Sequence, residues 1–112
     1  MSIRNRILAD GGITIKSRTL APVSPKRGYA VGSTTDTAIR LPLTATDTDI
    51  HRAMFLVWAR YGTRHIGAWV DGDTIHIDPS TIVRSKRDAL ALGQENRQMA
   101  IYGFAKRETI TI

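Results

Sequence analysis

The dipeptide Asp71-Gly72, set between two alternating runs, constrains this chain more than any other feature. HIGAWV (65–70) stands before it and DTIHID (73–78) follows it. Alternation at period two marks a strand. Asp-Gly between two such runs is a strong hairpin signal, because both central residues of a type I′ turn take positive φ. With Asp71 and Gly72 as the loop, Val70 faces Asp73, Ala68 faces Ile75 and Ile66 faces Ile77. His65 then lies across from Asp78, and His76 lies diagonal to Trp69. A Gly72-Asp73 loop would move every partner by two and keep both faces, whereas a slip by one would exchange them. One face is apolar, and the other carries His65, Trp69, Thr74, His76 and Asp78.

The remaining segments read as further strands and two helices. Ile13 to Lys16 alternates after the Gly11-Gly12 break, and GYAVGS (28–33) is a second strand whose glycines permit close approach. A surface loop with two prolines and two serines, 17–25, joins them. Ile39, Leu41 and Leu43 share one face of a third strand, which Pro42 confines to an edge or keeps short. Thr46-x-x-Asp49 opens a helix in capping-box form. Ile50, Ala53, Met54, Val57, Trp58 and Tyr61 then recur at helical spacing, and Gly62 ends it. Phe55 and Leu56 fall off that stripe, so the helix is either buried more widely or offers a second apolar face to another chain.

Ser85-x-x-Asp88 caps a second helix, with Ala89, Leu92 and Gly93 inward. Gly93 costs about 1 kcal/mol relative to alanine inside a helix, which points to close packing on the sheet. Strands at 98–104 and 108–112 complete the chain, joined by 105–107. The order predicts an α+β domain: a single mixed, mainly antiparallel sheet of about five to seven strands with two helices packed on it. Residues 1–112 form one domain, with 1–12 as a basic lead-in that is flexible or briefly helical.

Composition narrows the setting. The 112 residues include no cysteine, which excludes a disulfide framework and thiolate chemistry. The longest apolar run, 53–59, is too short to span a bilayer, and the N-terminus lacks a signal-peptide core. A cytoplasmic, reducing setting with no membrane partner is expected. The net charge is +6, and its distribution is uneven. Residues 1–30 hold six basic side chains against one acidic, whereas 31–112 hold ten against nine. Arg4, Arg6, Lys16, Arg18, Lys26 and Arg27 therefore suggest a basic arm for a phosphate backbone. Arg84, Lys86 and Arg87 extend the set, the last two in a first helical turn where cations oppose the dipole. Ordinary solubility charge explains the same residues, because they are dispersed.

No catalytic signature is present. His65, His76 and Asp78 come nearest to one, since a carboxylate beside an imidazole can tune a general base. No nucleophile or oxyanion donor accompanies them, and a plain cross-strand pair accounts for them equally. Asp71, Asp73 and Asp78 do not make an EF-hand, because Ile82 stands where the bidentate glutamate belongs. The aspartates of the turn are turn formers. No cofactor and no metal site is expected.

The run GAWVDGDTIHIDPSTIV, followed by ALALGQENRQ and MAIY, resembles a loose family of small proteins from actinobacteria and their phages. That pattern has a Gly-x-Trp-x-Asp hairpin, an Asp-x-Ser segment, an Ala-rich helix and a Gln-x-Ala-Ile strand. GGITI and GYAVG upstream are similar to its N-terminal parts. Gly103 departs from it, standing where an acidic residue is expected. The resemblance implies a small accessory protein of a bacteriophage or its bacterial host and attaches no reaction to it.

The expected function is therefore a non-enzymatic interaction protein docking on a host protein or on its own kind as a homo-oligomer. Its expected interface comprises Phe55, Leu56, His65, Trp69 and His76, with Trp69 as anchor. The alternatives are a nucleic-acid-binding accessory protein using the basic N-terminal third, and a small hydrolase or transferase around His65, His76 and Asp78. The last requires a pocket at that strand face.

Overall fold

A computed structural model describes residues 2–23, 25–33 and 37–112. Met1 of the expected lead-in and Ser24 of the expected loop lie outside them. The elements run α1 (Ile3–Asp10), β1 (Gly12–Lys16), β2 (Tyr29–Gly32), β3 (Ile39–Pro42), α2 (Asp47–Tyr61), β4 (His65–Asp71), β5 (Thr74–Val83), α3 (Lys86–Glu95), β6 (Ala100–Gly103) and β7 (Glu108–Thr111). The expected strands and both expected helices are present. The seven strands form one curled sheet, a half-barrel, in the order β1-β4-β5-β2-β6-β7, with β3 also on β5. Every ladder is antiparallel.

The long strand β5 is the spine. β4 pairs with it over Thr74 to Ser80. On its other side β3 takes Thr74 to Ile77 and β2 takes Ser80 to Val83, one after the other. Pro42 therefore ends a short strand that pairs on one side only, where its missing N–H costs no ladder bond.

The hairpin keeps its faces but not its first expected register. Asp71 pairs with Thr74, so Gly72 and Asp73 form the loop. Only Gly72 takes positive φ there, at +60°, the pattern of a type II′ turn with glycine first. Partners move by two in consequence: His65 faces Ser80, Gly67 faces Asp78 and Trp69 faces His76. The expected His65–Asp78 pair does not form.

Three helices, one more than expected, cover one face. Ile7 of α1 and Ile50, Ala53, Met54 and Val57 of α2 pack with Ile15, Ile66, Ala68, Ile75 and Ile77 of the sheet. Ala89 of α3 packs with Val31 and Ile101. A Cβ on Gly93 would come within 2.5 Å of Ile112 and 3.1 Å of Ile101, so glycine permits the close approach of α3. The capping box of α2 is complete: Asp49 N donates to Thr46 Oγ1 at 3.1 Å, and Thr46 N donates to Asp49 Oδ2 at 3.0 Å. The expected lead-in is α1, ended by Gly11 at φ +78°. Its Ile7 is fully buried, which ties α1 into the core.

Candidate functional site: an open face around Asp78

Alternation sends the neighbours of these core residues to the opposite face. Among the described residues no helix packs its buried face on that side. Thr14 of β1, Asp78 of β5 and Thr109 of β7 line one cavity of about 660 Å³, although β1 and β7 are the two ends of the strand order. The face is therefore concave. Its floor consists of small residues (Gly67, Ala30, Gly32, Ser80 and Ala100), and its walls include Trp69, Tyr102 and Phe104. Arg6, Asp10 and Arg107 also line it.

Asp78 sits in this floor with 3% of its surface exposed. Gly67 lies directly across on β4. On the β2 side, a Cβ at Gly32 would come within 2.6 Å of Asp78 Oδ2; at Gly67 it would lie 3.1 Å from Oδ1. The carboxyl fits because both positions lack a side chain. Its oxygens accept no hydrogen bond from a described residue and join no ion pair among them. Burial alone pushes its pKa up to about 7.

The surrounding polar groups are committed elsewhere. Gln98 Nε2 donates to the Ser33 carbonyl, which leaves Oε1 facing the space above Gly32, 2.9 Å from a Cβ built there. Ser80 Oγ donates to the Val31 carbonyl at 3.5 Å. Asn96 Nδ2 donates to the Gly32 carbonyl at 2.9 Å, pinning the end of β2 beneath Gln98.

Trp69 and His76 stack, with centroids 4.4 Å apart and planes inclined by 14°. His76 Nε2 lies 3.8 Å from Asp71 Oδ2. Desolvation lowers the pKa of His76, opposed by Asp71 and assisted by Arg40. Desolvation likewise lowers that of His65, assisted by Arg64 and Lys16. Both imidazoles are thus biased toward the neutral form. No hydrogen bond joins His65, His76, Ser80 and Asp78 to one another. Asp78 lies in the cavity; His65 and His76 do not line it.

The expected interface separates into two places. Phe55 and Leu56 are 59% and 51% exposed on the outside of α2, whereas Trp69 belongs to the opposite side of the sheet. The expected basic arm is also altered: Arg4 Nε and Nη2 donate to the carbonyls of Ala45 and Leu43 at 3.0 and 2.8 Å, so Arg4 braces the entry to α2. Lys16, Arg18, Lys26, Arg27, Arg84, Lys86 and Arg87 are exposed. Gln98, Ser80 and Gly32 were not singled out from the sequence. Their signal was the spacing of small and polar residues across four strands, which becomes visible only once the register is known.

No family model, curated protein or solved structure matches the chain.

Proposed function

We propose that this chain is a non-enzymatic binding protein that receives a ligand of small-molecule size on the concave face of its half-barrel. The observation that carries the reading is the cavity around Asp78: a buried carboxyl without a partner among the described residues, with small and aromatic side chains lining the same space. Its volume lies in the range of small-ligand sites. The absence of hydrogen bonds linking Ser80, His65 and Asp78 supports binding over group transfer, which needs a nucleophile oriented by its base. A fragment screen by amide NMR tests the reading. Hits should shift Gly32, Gly67, Trp69 and Gln98 and be recovered unchanged. Hits confined to the outer face of α2, or turnover of a fragment, would overturn it.

A second reading, protein contact through α2, rests on Phe55 and Leu56 and on the Phe55–Trp58 ring pair at 5.8 Å. An exposed apolar patch of this kind marks an interaction surface. Sedimentation at rising concentration, compared with a Phe55→Ser/Leu56→Ser variant, tests it. Self-association lost in the variant supports it, and identical monomeric behaviour removes self-association.

A further inference from the structure

We propose that the concave cavity binds a small organic cation, whose ammonium or amidinium N–H groups are received by Asp78, Gln98 Oε1 and Ser80 Oγ. The inference rests on the reading of the concave face as the binding face and names the chemistry of its ligand.

Three observations point to a donor-only, positively charged group. First, the side-chain atoms offered around Asp78 are acceptors. Gln98 has spent its N–H₂ on Ser33 and Ser80 its proton on Val31, leaving oxygens toward the cavity. A group that brings acceptors of its own meets no free donor on Gln98 or Ser80 beside the carboxyl, whereas an ammonium or amidinium supplies donors alone. Secondly, Asp78 is a buried carboxyl with neither hydrogen bond nor counter-ion among the described residues. Such a group is costly unless it is protonated or paired, and a ligand cation pairs it. Thirdly, Trp69, Tyr102 and Phe104 line the same cavity, and aromatic faces attract cations.

The charges at the edge set the size. Arg6 and Arg107 line the cavity beside Asp10 and repel an extended polycation, so the geometry favours a compact monocation. A bare divalent metal fits less well, because calcium takes six to eight oxygens, several from carboxylates, and Asp78 is the one carboxylate in the floor.

Binding should therefore depend on pH. The ionisable groups that line the cavity with Asp78 are Arg6 and Asp10 of α1, Tyr102 of β6 and Arg107 of the β6–β7 turn, and the register puts Lys16, His65 and His76 on the same sheet face outside it. Burial, and none of these charges, is what raises Asp78 to about 7. A cation binds the ionised carboxylate, so affinity should rise with pH through that region and level off above it. A neutral acceptor ligand would need the protonated acid and show the opposite slope.

The test is an amide NMR titration of the full chain with benzamidine, with benzamide and calcium chloride as controls, at pH 6 and pH 8. Benzamidine should shift Gly32, Gly67 and Gln98 and bind about tenfold more tightly at pH 8, following the ionised fraction of a carboxyl with pKa near 7. Benzamide and calcium should leave those signals in place, and Asp78→Asn should weaken benzamidine at least tenfold. Benzamide binding as tightly at the same amides overturns the cation and leaves the concave binding face standing. Shifts confined to α2 overturn both readings. Absence of any shift, or displacement of benzamidine by calcium, overturns the organic cation. Should the asparagine variant misfold, the carboxyl carbon of Asp78 in the unaltered protein decides: benzamidine should lower its titration midpoint, and an unchanged midpoint contradicts the site.

Discussion

Ile77 and Asp78 are neighbours on β5 with almost the same exposure, 0% and 3%, and opposite physics. Ile77 is buried by packing, under α2 and among Ile66, Ala68 and Ile75. Asp78 is buried by curvature, in a hollow that no helix fills. The sheet thus has two interiors. Branched side chains occupy the helix side, while glycine and alanine keep the other side open. An equal loss of solvent marks a core residue in one place and a binding group in the other.

Replacing Ile77 with alanine should cost the most, about 2–5 kcal/mol, because a filled interior cannot close over the missing methyls. Chemical denaturation measures it, and a loss well under 1 kcal/mol would break the distinction between the two sides. Asp78→Asn should act in the opposite direction. A carboxyl whose folded pKa exceeds its unfolded value of 3.8 binds more protons folded than unfolded between the two values. Stability therefore falls as pH rises from about 4 to about 7 and then levels off. Removing the charge should raise stability at pH 8 by a gain on the order of 4 kcal/mol at most, and by little at pH 4. A variant less stable than the parent at pH 8 would mean that the carboxylate is satisfied.

Gly32→Ala comes next. Its Cβ would stand 2.6 Å from Asp78 Oδ2, and overpacking of this kind costs about 1–3 kcal/mol. Most of that loss should disappear in combination with Asp78→Ala; additive losses would mean that Gly32 serves the backbone alone. The smallest effects concern the half-buried Trp69 and the exposed Phe55. Trp69→Ala should cost about 1 kcal/mol through the lost His76 stack and still remove fragment binding at the cavity. Phe55→Ser should change stability by no more than about 0.5 kcal/mol and leave fragment binding intact. A large stability loss at Trp69 would place it in the packed side.

Most of the fold was legible. The caps at Thr46 and Ser85, the stripe of α2 and the edge position of Pro42 are local signals, and each survives in the structure. The hairpin register was legible only to within two residues. Asp-Gly and Gly-Asp loops preserve the same faces, and choosing between them depends on which turn geometry the strands accept. A type II′ turn needs glycine first, and Gly72 supplies it. The third helix was legible only as one of two alternatives for the lead-in, because Ile7 is the one residue of α1 that is fully buried, too little to make a periodic stripe. The site was half legible. Trp69, Ser80 and Asp78 alternate on one face in any register that keeps the faces, but the curling that turns this face into a cavity depends on the strand order. Only that order brings Gly32 and Gln98 beside Asp78.

The most direct test is the titration of the Asp78 side-chain carboxyl carbon by NMR in the free protein. A midpoint near 7 is expected for a largely desolvated carboxyl without a partner among the described residues. A midpoint near the ordinary value of about 4 would mean that water or a donor already satisfies it, and would contradict the account of the concave face.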